Sequence, residues 1–339
     1  MKLVYHDRFL EHRQRDDDHP ESPRRLVAIC DRLRDEGLWN DVLVPEPAAM
    51  DDVVRVHLPN YIERLGGMGE GAWDRDTYVR PETLPIALLA AGAGVLAAET
   101  AWTGRETAWA LVRPPGHHAI AGSAMGFCYL NTTAIAAARH AALGRGRVAV
   151  VDLDVHHGNG TQETFYDRPD VLVISMHESP LFPGSGSAGE IGLGPGKGFT
   201  INLPMPPGSG DAAYGRAMGR VIEPALRRFR PSTILVSYGT DIHYMDPLAS
   251  LKVTSAGCVK LIARLEDLAA ELCESRIAFI LEGGYHIESL AEIVAAAVGR
   301  RRKIKLRFAA DQGAGDIGLG VVDHAADQLA RRILLPAGQ

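Results

Sequence analysis

Four short segments carry the residue types from which metal sites and acid–base pairs are made. The first is Asp152-Leu153-Asp154-Val155-His156-His157-Gly158-Asn159, directly after the apolar run 147–151. Alternate residues of an extended segment point the same way, so Asp152, Asp154 and His156 are expected to share one side. The second segment runs from Ser237 to Asp241, and the third is Glu282-Gly283-Gly284-Tyr285; each closes or follows another apolar run. Asp154, His156 and Asp241 would together supply one imidazole and two carboxylates. Three protein ligands with one open position are the pattern of a catalytic rather than a structural zinc site. A metal held in that way makes water nucleophilic at neutral pH and polarises a carbonyl. A D-x-D-x-H string alone is equally compatible with an ordinary buried hydrogen-bond network; the other loops tip the balance toward a metal. The fourth segment, Arg113-Pro114-Pro115-Gly116-His117-His118-Ala119, places two histidines after the run 107–112. Such a pair suits charge-tuned proton transfer, and Asp152 and Asn159 are available to fix the two tautomers.

These segments need a scaffold that brings loop ends together. Short β-rich runs at 2–5, 107–112, 147–152, 171–176, 199–203, 233–238 and 276–282 alternate with helix-length segments near 22–36, 82–101, 131–143, 211–229, 255–274 and 287–299. Several runs are continuously apolar, as strands covered on both faces must be. Strands alternating with helices predict a parallel sheet in a three-layer α/β domain. In such sheets functional groups collect just beyond the carboxyl ends of the strands, which is where all four segments fall. No internal repeat is visible, and no linker divides the first 300 residues. Residues 300–339 read as a basic C-terminal extension of unknown role: RRRKIKLR at 300–307, a Gly-rich stretch, then a short helix at 323–334. A solvated tail or an extra helix packed on the domain is expected there, with a homo-oligomer contact as the alternative.

Composition narrows the partners. The chain has 339 residues, is 46% hydrophobic and 23% charged, and so can build a large core. A net charge of −6 argues against nucleic acid as the main partner and mildly favours cationic substrates. Four scattered cysteines, with no CxxC pair, read as buried reduced thiols. The N-terminus MKLVYHDRFL reads as a short strand with no signal-type apolar region, and the longest apolar run, 86–98, is too short to span a bilayer. A soluble, cytoplasmic protein without a membrane partner is expected.

The strings RPPGHHA (113–119), GFCYLN (126–131), VDLDVHHGNGTQ (151–162) and EGGY (282–285), with HPESPRRL (19–26) and DPLASLKVT (246–254) in the same order, resemble those of class II histone deacetylases and their bacterial relatives. These belong to the histone deacetylase and acetylpolyamine amidohydrolase superfamily. The resemblance covers about residues 1–299 and implies an arginase-like α/β fold with an eight-stranded parallel sheet. It implies zinc on Asp154, His156 and Asp241, and a proton-handling dyad of His117, partnered by Asp152, and His118, partnered by the amide of Asn159, with His118 as general base. It makes Tyr285 the hydroxyl donor to the acetyl carbonyl and the oxyanion. Phe127 and Phe182, beside Gly126, match the walls of an acyl-lysine tunnel, and Asp76 falls where a polar residue meets substrate at the rim. It also implies a monovalent cation, potassium, at Asp152, Asp154, His156, Ser175 and Met176, and a second such site at Phe165, Arg168, Val171 and Phe199.

The activity so implied is zinc-dependent hydrolysis of an acetyl–amine bond. A dinuclear manganese ureohydrolase on the same fold needs more bridging carboxylates than Asp241, His243 and Asp246 offer after Thr240. A catalytically inactive acyl-lysine binding protein should have lost the tyrosine or a ligand, and neither is missing. The substrate stays open between acetylated polyamines, acetyl-lysine and another small acylated amine. The short stretch GGMGEGAWDRDTYVR at 66–80 lacks the long insertion of the acetylpolyamine enzymes.

Overall fold

The structure is a computed structural model that describes residues 1–16, 18–304 and 317–333. Its strands are β1 (Lys2–Val4), β2 (Val42–Leu43), β3 (Gly71–Ala72), β4 (Tyr78–Val79), β5 (Thr107–Ala110), β6 (Val148–Asp152), β7 (Val171–Glu178), β8 (Thr200–Met205), β9 (Thr233–Tyr238) and β10 (Ile277–Leu281). The helices are α1 (Arg24–Asp35), α2 (Met50–Val53), α3 (Pro59–Gly67), α4 (Thr83–Gly104), α5 (Thr132–Ala142), α6 (Asn159–Phe165), α7 (Asp211–Ala217), α8 (Glu223–Phe229), α9 (Ser255–Cys273), α10 (Ile287–Arg301) and α11 (Leu319–Ile333).

Eight strands form one all-parallel sheet in the order β2-β1-β5-β10-β9-β6-β7-β8, while β3 and β4 make a separate two-stranded ribbon. Every residue of β5, β6, β7, β9 and β10 is buried. Both pleat faces are therefore covered, which explains the unbroken apolar runs. One cover is α4 and α5, which pack on each other and on β5, β6, β9 and β10; another is the connected set α1, α10, α9, α7 and α8, with α9 against β9.

The strand of the eight-stranded sheet missing from the sequence reading is β2. It has only two residues, paired through Leu3 to Val42 and Val4 to Leu43, too few to show a period. The stretch 66–80, read as a loop, contains the end of α3 and the β3–β4 ribbon. The helix α4 is longer than the apolar run inside it and, at 22 residues, matches a membrane span in length and composition. Its apolar character is accounted for by burial of residues from Ile86 to Ala101 against the sheet and α5. The segment 211–229 is continuous, but a π-turn at Met218–Ile222 separates α7 from α8. The C-terminal helix α11 starts four residues before the expected 323 and packs on α7 and β8. Residues 305–307 of the basic run, 308–316 of the Gly-rich stretch and 334, the last of the expected helix, lie outside the described residues.

The sheet order sets β5, β10, β9 and β6 side by side, with Ala110 opposite Ile280, Leu281 opposite Tyr238, and Asp152 opposite Ser237. Their four carboxyl-end loops therefore meet. A fully buried ion cluster underlies that end: Arg113 Nη2 donates to Glu21 Oε2 (2.9 Å) and its Nε to Oε1, Arg113 Nη1 donates to the Phe9 carbonyl (2.9 Å), and Arg25 Nη1 lies 3.4 Å from Glu21 Oε1. Burial alone would raise the Glu21 carboxyl, but Arg113, His12 and Arg25 outweigh it and hold it down at about 2. A depressed carboxylate stabilises the fold above its unfolded value, about 4.3, and loses that contribution as pH falls toward 2. Glu21→Gln leaves two buried guanidinium groups without their counter-charge and should cost about 3–5 kcal/mol. Thermal unfolding against pH checks this: Tm should drop at pH 7, and the difference from the parent should shrink between pH 4 and 2.

Candidate active site

All four chemistry-bearing segments converge at the carboxyl ends of β5, β6, β9 and β10. Asp154, His156 and Asp241 each present one ligand atom within 4.8 Å of the others. The Nδ1 of His156 lies 3.0 Å from Asp154 Oδ1 and 3.4 Å from Asp241 Oδ2. The other oxygens are occupied: Asp154 Oδ2 accepts from Gly283 N–H (2.7 Å) and Asp241 Oδ1 from Val155 N–H (2.9 Å). Burial and repulsion from Asp154 push the Asp241 carboxyl up to about 7. Among the described residues its buried Oδ2 accepts no well-formed hydrogen bond, His156 Nδ1 standing 3.4 Å away. A Cβ on Gly283 would stand 2.1 Å from that same oxygen and 2.6 Å from Asp154 Oδ2, so glycine keeps the space between the carboxylates clear. Two buried carboxylates, one imidazole and an orphaned oxygen fit a small divalent cation.

Asp152 does not join this cluster. Strand β6 ends at Asp152, and the alternation that would set it beside Asp154 ends with the strand. Its Oδ2 instead meets His117 Nδ1 at 3.0 Å and its Oδ1 accepts from Asp154 N–H (3.1 Å). Burial would lower His117, but Asp152 and Asp154 overcome that and raise its proton affinity well above that of an ordinary histidine. His118, whose ring centroid is 4.0 Å away, is driven the opposite way by burial, His117 and His156. The amide of Asn159 donates through Nδ2 to the His118 carbonyl (3.3 Å), which turns its oxygen toward His118 Nδ1 at 2.8 Å. Nδ1 then carries the proton and Nε2 is left with a lone pair. Adjacent rings with opposed proton affinities are the arrangement acid–base chemistry requires.

A cavity of about 210 Å³ opens over this floor, lined among others by Asp76, Pro115, His117, His118, Gly126, Phe127, His156, Phe182 and Tyr285. Phe182 is 42% exposed, as a wall at a mouth must be, and its ring stands edge-on to His118 at 5.1 Å. Phe127 has φ 68°, a left-handed backbone that costs about 1–2 kcal/mol in a non-glycine residue. The Met125–Cys128 bridge (3.0 and 2.9 Å) and a bond from Phe127 N–H to Thr77 Oγ1 (3.3 Å) hold it there. Gly126 has φ 55°, and a Cβ there would meet His118 Cδ2 at 2.6 Å and Phe182 Cε1 at 2.8 Å. The half-buried Tyr285 has no hydrogen bond to its hydroxyl among the described residues, while Asp246 anchors its backbone N–H at 2.7 Å. Burial raises its phenol well above the usual value, so it is a hydrogen-bond donor. Asp246 also accepts from His286 and Leu248 N–H, which commits it to backbone rather than to a second metal.

Sequence reasoning missed Leu181, Leu248 and Gly283, which complete the lining, and His19, whose ring meets Phe127 at 4.7 Å. Leu181 could have been found as the neighbour of Phe182; the others needed the fold. Ser175 sits opposite Asp152 on β7 and its hydroxyl meets His177 Nδ1 at 2.9 Å, with Met176 next in the strand. Of the second proposed cation set, the Phe199 carbonyl accepts from Val173 N–H, two residues beyond Val171, while Arg168 forks onto Asp170 (3.0 and 2.6 Å). A larger open hollow, about 740 Å³, lies over Arg64, Met68, Trp73 and Ser123 and holds none of the titratable cluster.

The histone deacetylase domain model matches residues 19–300. A probable deacetylase of Archaeoglobus fulgidus is 40% identical over 293 residues, covering 84% of this chain and 81% of the relative. A histone deacetylase-like amidohydrolase of Pseudomonas aeruginosa is 41% identical over 277 residues, covering 78% and 71%. The crystal structure of the HDA15 HD domain superposes with a TM-score of 0.87 at 32% identity, over 97% of this chain and 94% of that one. Fold and site together define an α/β hydrolytic scaffold of the deacetylase type, and the chain belongs to the histone deacetylase domain family.

The crowding at Gly126 has a measurable consequence. Gly126→Ala must displace the His118 ring or the Phe182 wall and adopt a strained φ, at a cost of about 1–3 kcal/mol. A lower Tm, with a weakened grip on any ligand occupying the cleft, is expected from thermal melts with and without that ligand.

Proposed function

We propose that the protein is a zinc-dependent deacetylase that hydrolyses the acetyl–amine bond of an acetyl-lysine or a monoacetylated diamine. The observation that carries this reading is the convergence, in one narrow cleft, of the bare Nε2 of His118, the unpartnered hydroxyl of Tyr285 and the Asp154–His156–Asp241 cluster. Those three ligands would hold one zinc ion, which when bound acts as a Lewis acid on the acyl carbonyl and makes water nucleophilic near neutral pH.

The chain's own residues would do the rest. Phe127 and Phe182 grip the alkyl chain, each buried methylene contributing about 0.8 kcal/mol. His118 Nε2 accepts a proton from water as its oxygen bonds to the acyl carbon. Tyr285 donates a hydrogen bond to the developing oxyanion. His117, its proton affinity raised by Asp152, would add positive potential when protonated. When the C–N bond breaks, the proton held by His118 passes to the amine nitrogen, giving acetate and a free amine. Asp76 at the rim can accept an amide N–H or pair with an ammonium, while Leu181 and Leu248 keep the rest of the lining apolar. A dinuclear ureohydrolase is disfavoured because Asp246 is spent on three backbone N–H groups.

The direct test is a kinetic panel of acetyl-lysine peptides and acetylated diamines, with chelation and zinc restoration. Turnover should vanish on chelation and return with zinc; turnover of neither class by the zinc-loaded protein would refute the reading. Tyr285→Phe should cost about 10²–10³ in rate and His118→Ala about 10²–10⁴, both with metal content intact by elemental analysis. Near-normal turnover by either metal-loaded variant would remove that role. Asp76→Ala should raise KM more than it lowers kcat, because a rim contact is made equally in ground and transition states. An unchanged KM on both substrate types would exclude Asp76 from the site.

A further inference from the structure

Glu282 follows β10 directly and is the acidic residue of the tyrosine loop, yet it lies outside the Asp154–His156–Asp241 cluster. It is fully buried and stands with His117 and Cys128, its ligand-type atoms within 4.8 Å of theirs. Its oxygens are already engaged. Oε2 accepts from the backbone N–H of Gly116 (2.6 Å) and His117 (3.1 Å). Oε1 accepts from Thr133 Oγ1 (3.3 Å) and Ser237 Oγ (3.1 Å). Those four donors come from the loop after β5, from α5 and from β9. The backbone of Glu282 is tied as well: its N–H donates to the Tyr238 carbonyl (2.9 Å), and its carbonyl accepts from Arg25 Nη2 (2.5 Å). Arg25 Nε in turn donates to the Gly284 carbonyl (2.7 Å), one residue before Tyr285.

We infer that Glu282 is a positioning residue, a buried acceptor that fixes the peptide carrying His117 and His118 against the loop carrying Tyr285. The inference rests on the deacetylase reading, in which imidazole and phenol must act on the same acyl carbon. One side chain spans the gap between the two loops, and no positively charged group donates to it. Its task is geometric, and an amide can perform it. Glutamine can offer Oε1 to the two backbone N–H groups and turn Nε2 toward Thr133 and Ser237, whose hydroxyl oxygens can accept as well as donate. Aspartate keeps the charge but is one methylene shorter and cannot reach both sides. Alanine leaves two backbone donors buried and unpaired. Displacement of a catalytic group by about 1 Å costs about 10²-fold in rate. The cleft walls Phe127 and Phe182 take no bond from Glu282, so the loss should appear in kcat with KM little changed.

The test compares E282Q, E282D and E282A with the parent in zinc-loaded protein, on an acetyl-lysine peptide and a monoacetylated diamine. Backbone hydrogen exchange over residues 113–120 is followed alongside. E282Q should keep kcat within about threefold. E282D and E282A should lose about 10–100-fold in kcat with KM within about threefold, and exchange over 113–120 should quicken in both but not in E282Q. If E282A does not fold, E282D carries the comparison. An E282Q as impaired as E282D, a loss expressed in KM, or unchanged exchange in E282D would overturn the inference. A parent that turns over neither substrate defeats the deacetylase reading instead, and the exchange measurement still decides whether Glu282 ties the loop.

Discussion

Uncompensated negative charge is the constraint on which this structure turns. Asp152, Asp154, Asp241, Asp246 and Glu282 are all buried at one end of a parallel sheet, where an unpaired carboxylate costs several kcal/mol. Each finds a different remedy. Asp152 has the charged His117, Asp246 has three backbone N–H groups, and Glu282 has four neutral donors. Asp154 is satisfied by His156 and by Gly283 N–H. Asp241 alone keeps an oxygen with no well-formed hydrogen bond, pointing into the space that Gly283 leaves open. A cation there relieves both Asp241 and its repulsion with Asp154.

The fold is arranged around this need. Parallel strands deliver their following loops to one end, and the neighbouring positions of β5, β10, β9 and β6 bring the histidine, tyrosine and two carboxylate loops within reach of one another. The strong local forces are backbone donors and buried arginines rather than surface ion pairs. Arg25 and Arg113 stand beneath the site, share Glu21, and hold the carbonyls of Phe9, Glu282 and Gly284. The acid–base asymmetry of His117 and His118 is a product of the same field. His117 faces two carboxylates, which raise its proton affinity; His118 faces an amide and two other imidazoles, and its proton affinity falls.

The sequence carried much of this directly, for physical reasons. Asp154, His156 and Asp241 were legible because metal-ligand types follow apolar runs that had to be doubly covered strands. Asn159 was paired with His118 only through the family resemblance, because the two residues follow different strands, β6 and β5, and no local pattern joins them. Other features depend on contacts that no local pattern encodes. Val42–Leu43 is a strand only because Leu3 and Val4 pair with it. The helix α6 begins inside the metal motif, and its short polar first turn hides its period. Asp152 left the expected ligand side because alternation holds only while the strand lasts. The engagement of Glu282 depends on donors 45 to 166 residues away in the chain.

The most direct test of the central claim is calorimetric unfolding of chelator-stripped protein, parent and Asp241→Asn, with zinc added stepwise. If unrelieved charge at Asp241 governs the site, the stripped parent should gain several degrees in Tm, saturating at one zinc per chain, since tight binding to the folded state adds about 4 kcal/mol at a thousandfold excess over Kd. The Asn variant should be more stable than the parent without metal and gain little from zinc. A stripped parent as stable as the loaded one, or a metal-free Asn variant less stable than the parent, would contradict the account.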